Sequence, residues 1–136
     1  MPLLSPFDVQ EIAAAGDLKE LIKALDKNQK TSVRLEAAKS LGHLGVSGAV
    51  VPLAKALNDE NRQVRMSALS ALGMIGLLAT RPLMTALRNE DKEVRQQAME
   101  TLELIGVPVE ALLLSVLKDA DPYALVKAKV AMLKDA

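Results

Sequence analysis

The run Val64-Arg65-Met66-Ser67-Ala68-Leu69-Ser70-Ala71-Leu72-Gly73-Met74-Ile75-Gly76 decides the fold. Val64, Ala68, Leu72 and Ile75 are spaced by four, four and three residues, which places them on one stripe of a helix. Gly76 stands just past that stripe, where a residue that enters the left-handed region at little cost ends a helix. The same pattern recurs on both sides. Val33-Arg34 lies 31 residues upstream, followed by Ala37, Leu41, Leu44 and Gly45. Val94-Arg95 lies 30 residues downstream, followed by Ala98, Leu102, Ile105 and Gly106. Self-similarity at this period predicts a repeat architecture, in which each unit buries its apolar face against the next.

A second apolar segment follows each glycine: Leu53 and Leu57, Leu83 and Leu87, Leu113 and Leu117. Ser47 and Thr80 are expected to cap the first two of these helices, with Pro52 and Pro82 early enough to be tolerated. Short polar loops, 58–61, 88–91 and 118–121, return the chain to the next unit, whose first helix is capped by Asn61, Asp91 or Asp121. The ends read as incomplete units. Residues 7–15 supply a short first helix ended near Gly16, and Leu18, Leu21, Ile22 and Leu25 mark its partner. Residues 121–133 form a first helix with no second. The reading is one domain over 1–136, with units at 1–27, 28–59, 60–89 and 90–119 and a half-unit at 120–136.

Composition agrees with a helical stack. Half of the 136 residues are hydrophobic, yet Phe7 and Tyr123 are the only aromatics, so the core is aliphatic. Seventeen basic residues balance seventeen acidic ones, which argues against a dedicated nucleic-acid binder, because phosphate neutralisation needs a basic excess. Without cysteine there is no disulfide, thiolate metal site or cysteine nucleophile. The N-terminus lacks the pattern of a secretory signal, and uncharged apolar stretches such as Leu72 to Thr80 are too short to cross a bilayer. These features give the expectation of a cytoplasmic protein with no membrane partner.

The pattern resembles HEAT repeats, in the short form shared with phycobilisome lyase-type proteins. The resemblance rests on Asp59 with Val64-Arg65, Asp91 with Val94-Arg95, Leu41-Gly42-His43-Leu44-Gly45 and Leu72-Gly73-Met74-Ile75-Gly76. Two departures stand out: Glu103 replaces the glycine of Gly42 and Gly73, and Leu125 replaces the arginine of Arg34, Arg65 and Arg95. The resemblance implies an all-α, right-handed α-solenoid of about four stacked helix pairs. It also implies that the second helices line the concave face, and that Arg34, Arg65 and Arg95 form an inter-repeat ladder with Asp59, Asp91 and Asp119. A ladder that grips a partner's carboxylates or phosphates is the competing reading of those arginines.

Catalytic candidates are few. His43 is the sole histidine, and the paired His-Glu motifs of metal-binding HEAT enzymes are missing, so no metal or cofactor is expected. The serines have no base placed beside them in sequence, and Gly45-Val46-Ser47-Gly48 reads as cap and turn rather than a phosphate loop. DNA glycosylases built on this kind of repeat use aromatic residues at the lesion, and this chain has no tryptophan.

Binding has better material. Aligning the second helices gives one row of Lys23, Lys55, Thr85 and Ser115, another of Lys19, Val51, Arg81 and Ala111, and a third of Asp26, Asn58, Arg88 and Lys118. These rows lean basic and suit a partner protein with an acidic stripe. Leu125, Val126, Val130 and Leu133 leave the terminal helix apolar on more than one side, so either they pack back on the preceding pair or, the favoured reading, this end docks onto a second copy or another protein. The expected function is a non-catalytic scaffold or adaptor for protein–protein interaction. A bilin lyase-like accessory subunit is the alternative.

Overall fold

The computed structural model describes residues 2–108. Seven α-helices follow one another there: α1 (Pro6–Ala14), α2 (Leu18–Lys23), α3 (Thr31–Leu44), α4 (Val50–Ala56), α5 (Arg62–Ile75), α6 (Thr80–Ala86) and α7 (Lys92–Leu104). No strand occurs among the described residues. The helices pair as α1/α2, α3/α4 and α5/α6, with α7 as the first member of a further pair. The partner helix expected around Leu113 and Leu117, and the terminal helix after it, lie outside the described residues.

The molecule is an α-solenoid of two layers. First helices α1, α3, α5 and α7 stack on one another, and each second helix lies mainly against the first helix of the following unit: α2 on α3, α4 on α5, α6 on α7. The repeating stripe faces the space between the layers. Val33, Ala37 and Leu41, then Val64, Ala68 and Leu72, then Val94, Ala98 and Leu102 are fully buried. Leu53, Leu57, Leu83 and Leu87 meet them from the second helices. Each such Val or Leu contributes about 1.5–3 kcal/mol through burial, which an isolated pair of helices this short does not obtain.

Local chemistry sets the helix ends. Ser5 and Asp8 form a reciprocal capping box at α1: the Asp8 amide donates to Ser5 Oγ at 3.1 Å, and the Ser5 amide donates to Asp8 Oδ2 at 2.8 Å. Asn61 Oδ1 accepts from the amides of Gln63 and Val64, and Asp91 Oδ1 accepts from Glu93 N–H, as expected of caps. Gly45, Gly76 and Gly106 have φ of 65°, 85° and 90°, the region that stops a helix and disfavours any side chain.

The second-helix caps differ from expectation. Ser47 and Thr80 do not cap α4 and α6; the chain enters both helices through 3-10 turns, Ser47–Ala49 and Gly76–Ala79, which seat the fully buried Ala49 and Ala79 on the core. Thr80 is already helical, and its hydroxyl donates to the Leu77 carbonyl at 2.7 Å. A continuous turn leaves fewer orphan amides for a side chain to satisfy.

Two packing details position the faces. Gly42 on α3 meets Ala71 on α5 so closely that a Cβ at residue 42 would lie 2.8 Å from both Cα and Cβ of Ala71. The first-helix layer is therefore drawn tight at this crossing. The run Arg62–Ala86 has a mean hydropathy of 1.3 in its most apolar window, enough by length and composition for a membrane span. It is instead two helices, broken at Gly76, whose buried residues join the solenoid core.

Candidate functional site

The arginines sit where one unit meets the next. Arg34, only 2% exposed, donates through Nε and Nη2 to the two carboxylate oxygens of Asp59 at 2.8 and 3.1 Å, and through Nη1 to the Gln29 carbonyl at 2.5 Å. Arg65 is attached differently. Its Nη2 lies 3.0 Å from Asp91 Oδ2 and its Nη1 donates to the carbonyls of Asp59 and Glu60, while its buried Nε has no hydrogen-bond acceptor. Arg95 Nη1 donates to the carbonyls of Asn89 and Glu90. Asp119, its expected acid, lies outside the described residues. Each of Arg34 and Arg65 thus ties the loop before its own helix to the acid of the following loop. These groups are turned into the fold, and a partner's phosphate would have to displace a bidentate carboxylate to reach Arg34.

Two exposed contacts add to the same edge. Arg62 reaches Glu93 of the next unit through Nε at 2.6 Å and through Nη2. The hydrogen bond from Arg62, before any other influence, holds the Glu93 carboxyl below the usual carboxylate range, and the same bond raises Arg62. Asn89 Nδ2 donates to Asn58 Oδ1 at 2.9 Å.

The second helices carry the remaining candidates. Lys19, Lys23, Lys55, Arg81, Thr85 and Arg88 are all exposed. Lys19/Lys23 on α2, Val51/Lys55 on α4 and Arg81/Thr85 on α6 are each four residues apart, so every pair shares a helical face. Lys23 pairs with Glu20 at 3.2 Å. Ser115 and Lys118, which complete two of the rows, lie outside the described residues, as do Leu125, Val126, Val130 and Leu133.

Two grooves run along this face. One, of about 660 Å³, lies between α2 and α4, with Ile22, Leu25 and Pro52 among its apolar lining and the Arg34–Asp59 pair in its wall. Its rim mixes charge, with Lys23 and Lys55 against Asp26 and Glu60. The other, of about 610 Å³, runs beside α6 from Leu77 and Leu78 past Arg81, Met84 and Thr85 to Arg88.

Chemistry of another kind has little purchase. His43 is exposed, and its Nδ1 donates to the Lys39 carbonyl at 2.8 Å, one turn back on its own helix. Among the described residues no group of three or more His, Asp or Glu side chains is close enough to hold a metal ion.

Sequence reasoning missed two features. Gln29, 3% exposed, clamps the N-terminal segment: its Oε1 accepts from the Leu4 amide and its Nε2 donates to the Pro2 carbonyl, both at 2.9 Å. A signal existed, since the equivalent positions four residues before Val64 and Val94 are the acids Glu60 and Glu90. Leu77 and Leu78 are the second feature. They lie in the uncharged stretch Leu72 to Thr80 and are 70% and 63% exposed, because the 3-10 turn points Ala79 inward and leaves both leucines outside.

The sequence model of a family described as HEAT repeats matches residues 18–91, just over half of the chain. Among solved structures, the crystal structure of an engineered protein is similar to this chain with a TM-score of 0.51 and 21% identity. The likeness covers 92% of this chain and 64% of the engineered one, and at that identity it speaks to the fold alone. Curated proteins gave no match.

Proposed function

We propose that this chain, which belongs to the HEAT-repeat family, is a scaffold that binds another protein on the face formed by α2, α4 and α6. The supporting observation is the asymmetry between the layers. The first helices are drawn together at Gly42 and Ala71, whereas the second helices present rows of exposed cations and aliphatic side chains with open grooves beside them. Scaffolds of stacked repeats use such extended surfaces, where affinity comes from shape and distributed contacts rather than one reactive centre. A catalytic reading has no comparable support, because the one histidine of the chain is engaged with its own helix backbone.

The test is a photocrosslinking amino acid placed at Thr85 on the second-helix face or at Ser70, an exposed position on α5. In the organism's own cells, the scaffold reading expects a discrete protein adduct from position 85 and none of that size from position 70. Equal adducts from both positions, or none from either, would overturn it. The bilin lyase-like alternative makes a separate claim, namely a visible absorption band after incubation with a bilin. Such a band would replace the scaffold reading.

A further inference from the structure

We propose that the groove between α2 and α4 receives a partner helix whose charges are segregated along its length. That helix is aliphatic in its middle, acidic where it passes Lys23 and Lys55, and basic where it passes Asp26 and Glu60. The proposal rests on the second-helix face being the binding face and adds the chemistry of what one part of that face holds.

The groove has two complete walls: α2 and the loop after it on one side, α4 and the loop after it on the other. Ile22, Leu25, Pro52 and Ala56 supply the apolar lining. The first three are half-buried, so each leaves aliphatic surface for a ligand to cover. The volume of about 660 Å³ is that of a binding cleft rather than a packing defect.

Charge complementarity selects the occupant, because the sign changes along the groove. Lys23 on α2 and Lys55 on α4 stand at equivalent positions in successive units. Lys55 has no ion pair among the described residues. Lys23 is shared with Glu20, which lies outside the groove, and an ammonium has three donors. Asp26 and Glu60 follow three and five residues later, roughly one helical turn further on. Asp26 accepts the Asn28 amide through Oδ1 alone, and Glu60 is 84% exposed, 3.7 Å from Arg34 Nη2. Arg34 and Asp59 cancel each other through two hydrogen bonds. Lys27 offsets one of the two remaining acids, so the loop end keeps a single net negative charge while the helix end is positive.

A uniformly acidic helix would face Asp26 and Glu60, and a uniformly basic one would face Lys23 and Lys55; like charges so placed reject a partner. A helix with acids in its first turn and bases in its last is also favoured by its own dipole, and it would lie parallel to α2 and α4. Its aliphatic face then covers Ile22, Leu25 and Pro52. Nucleic acid fits less well, since phosphates would meet two carboxylates and no aromatic side chain lines the groove to stack a base.

The test is fluorescence anisotropy on the whole chain with a labelled 15-residue helical peptide: glutamates in the first turn, leucines at i, i+3 and i+4 in the middle, lysines in the last turn. Controls are the all-glutamate and all-lysine versions, one with glutamate and lysine mixed at both ends, one with serine for leucine, and a 15-nucleotide single-stranded RNA. The segregated peptide should bind about fivefold more tightly than every control. Lys55→Glu should weaken it about fivefold and improve the all-lysine peptide; Glu60→Lys should weaken it and improve the all-glutamate one. Arg81→Glu on α6 should leave it within about twofold, and circular dichroism should show unchanged helix content in all three variants. Equal binding of either single-charge peptide, indifference of every peptide to Lys55→Glu, or tighter binding of the RNA would overturn the proposal. So would a dimer, by light scattering, that excludes the peptide. If the Thr85 crosslink forms under those outcomes, the face stands and the chemistry assigned to this groove falls. If the crosslink is missing too, both fall.

Discussion

Arg34 and Arg65 occupy equivalent positions in successive units but are held in different ways. Arg34 makes a side-on, two-bond contact with Asp59 in a site almost closed to water, while Arg65 reaches Asp91 with one nitrogen and leaves Nε without an acceptor. Removing Arg34 leaves a carboxylate that is itself 9% exposed without its counter-charge, keeping the Asn61 amide as a donor, and breaking a buried pair by deleting one partner costs about 3 kcal/mol or more. Arg34→Ala should therefore lower stability by about 3 kcal/mol and Arg65→Ala by about 1 kcal/mol, read as shifts in the urea midpoint. Equal losses would show that the better geometry of Arg34 carries no extra stability. The residue-level pattern Val, Arg and, a loop later, Asp is readable from sequence. The difference in attachment is not, because it depends on how far each loop carbonyl lies from the guanidinium.

Between elements, the closest approach is at Gly42. A methyl group there meets the backbone of Ala71, which cannot swing aside, so Gly42→Ala should cost roughly 1–2 kcal/mol despite the better helix propensity of alanine. Gly73→Ala meets only the Thr101 side chain at 3.0 Å and should cost less, as compared by thermal melts of the two variants. The Arg62–Glu93 contact links α5 to α7 at the surface and makes a prediction in pH. Glu93 is held below its ordinary range in the folded chain, so its contribution exists above that range and disappears as pH falls through the lowered value. The stability difference between wild type and Glu93→Gln should thus shrink from neutral pH to about pH 3, in urea titrations at each pH. A difference that is constant or grows on acidification would refute it.

Much of this element level was legible. Spacings of four, four and three residues ending at Gly45, Gly76 and Gly106 located three first helices and their stops, because periodicity and left-handed glycine are local properties. The entry into α4 and α6 was not legible. Ser47 and Thr80 have the chemistry of caps, and whether a helix begins with a cap or a 3-10 turn depends on Ala49 and Ala79 finding room on a core that the sequence does not display. The same turns put Leu77 and Leu78 outside. The exposed leucines of that face were therefore hidden, although Arg81 and Arg88 were each visible as a member of a separate aligned row.

At the scale of the described residues, the extensive helix–helix contacts run between neighbouring units, so protection should follow position in the stack. α3 and α5 have first helices on both sides, whereas α1 has one such neighbour, α3. Hydrogen exchange should be slowest over Val33–Leu41 and Val64–Leu72 and at least tenfold faster over α1, in the manner of a stack that frays from its end. Uniform protection would indicate one cooperative block instead. The N-terminal unit also differs in kind. Its Gln29 amide is matched donor for acceptor to Pro2 and Leu4, while the corresponding Glu60 is 84% exposed. This bears on any recombination of the array. A copy of residues 28–59 spliced into an interior position would bring its amide without the backbone groups that satisfy it, and an interior unit moved to the front would offer a carboxylate that cannot donate to Pro2. The units share a stripe but are not interchangeable parts, and a designer who shuffles them must carry residues 2–5 and Gln29 together as one inheritance.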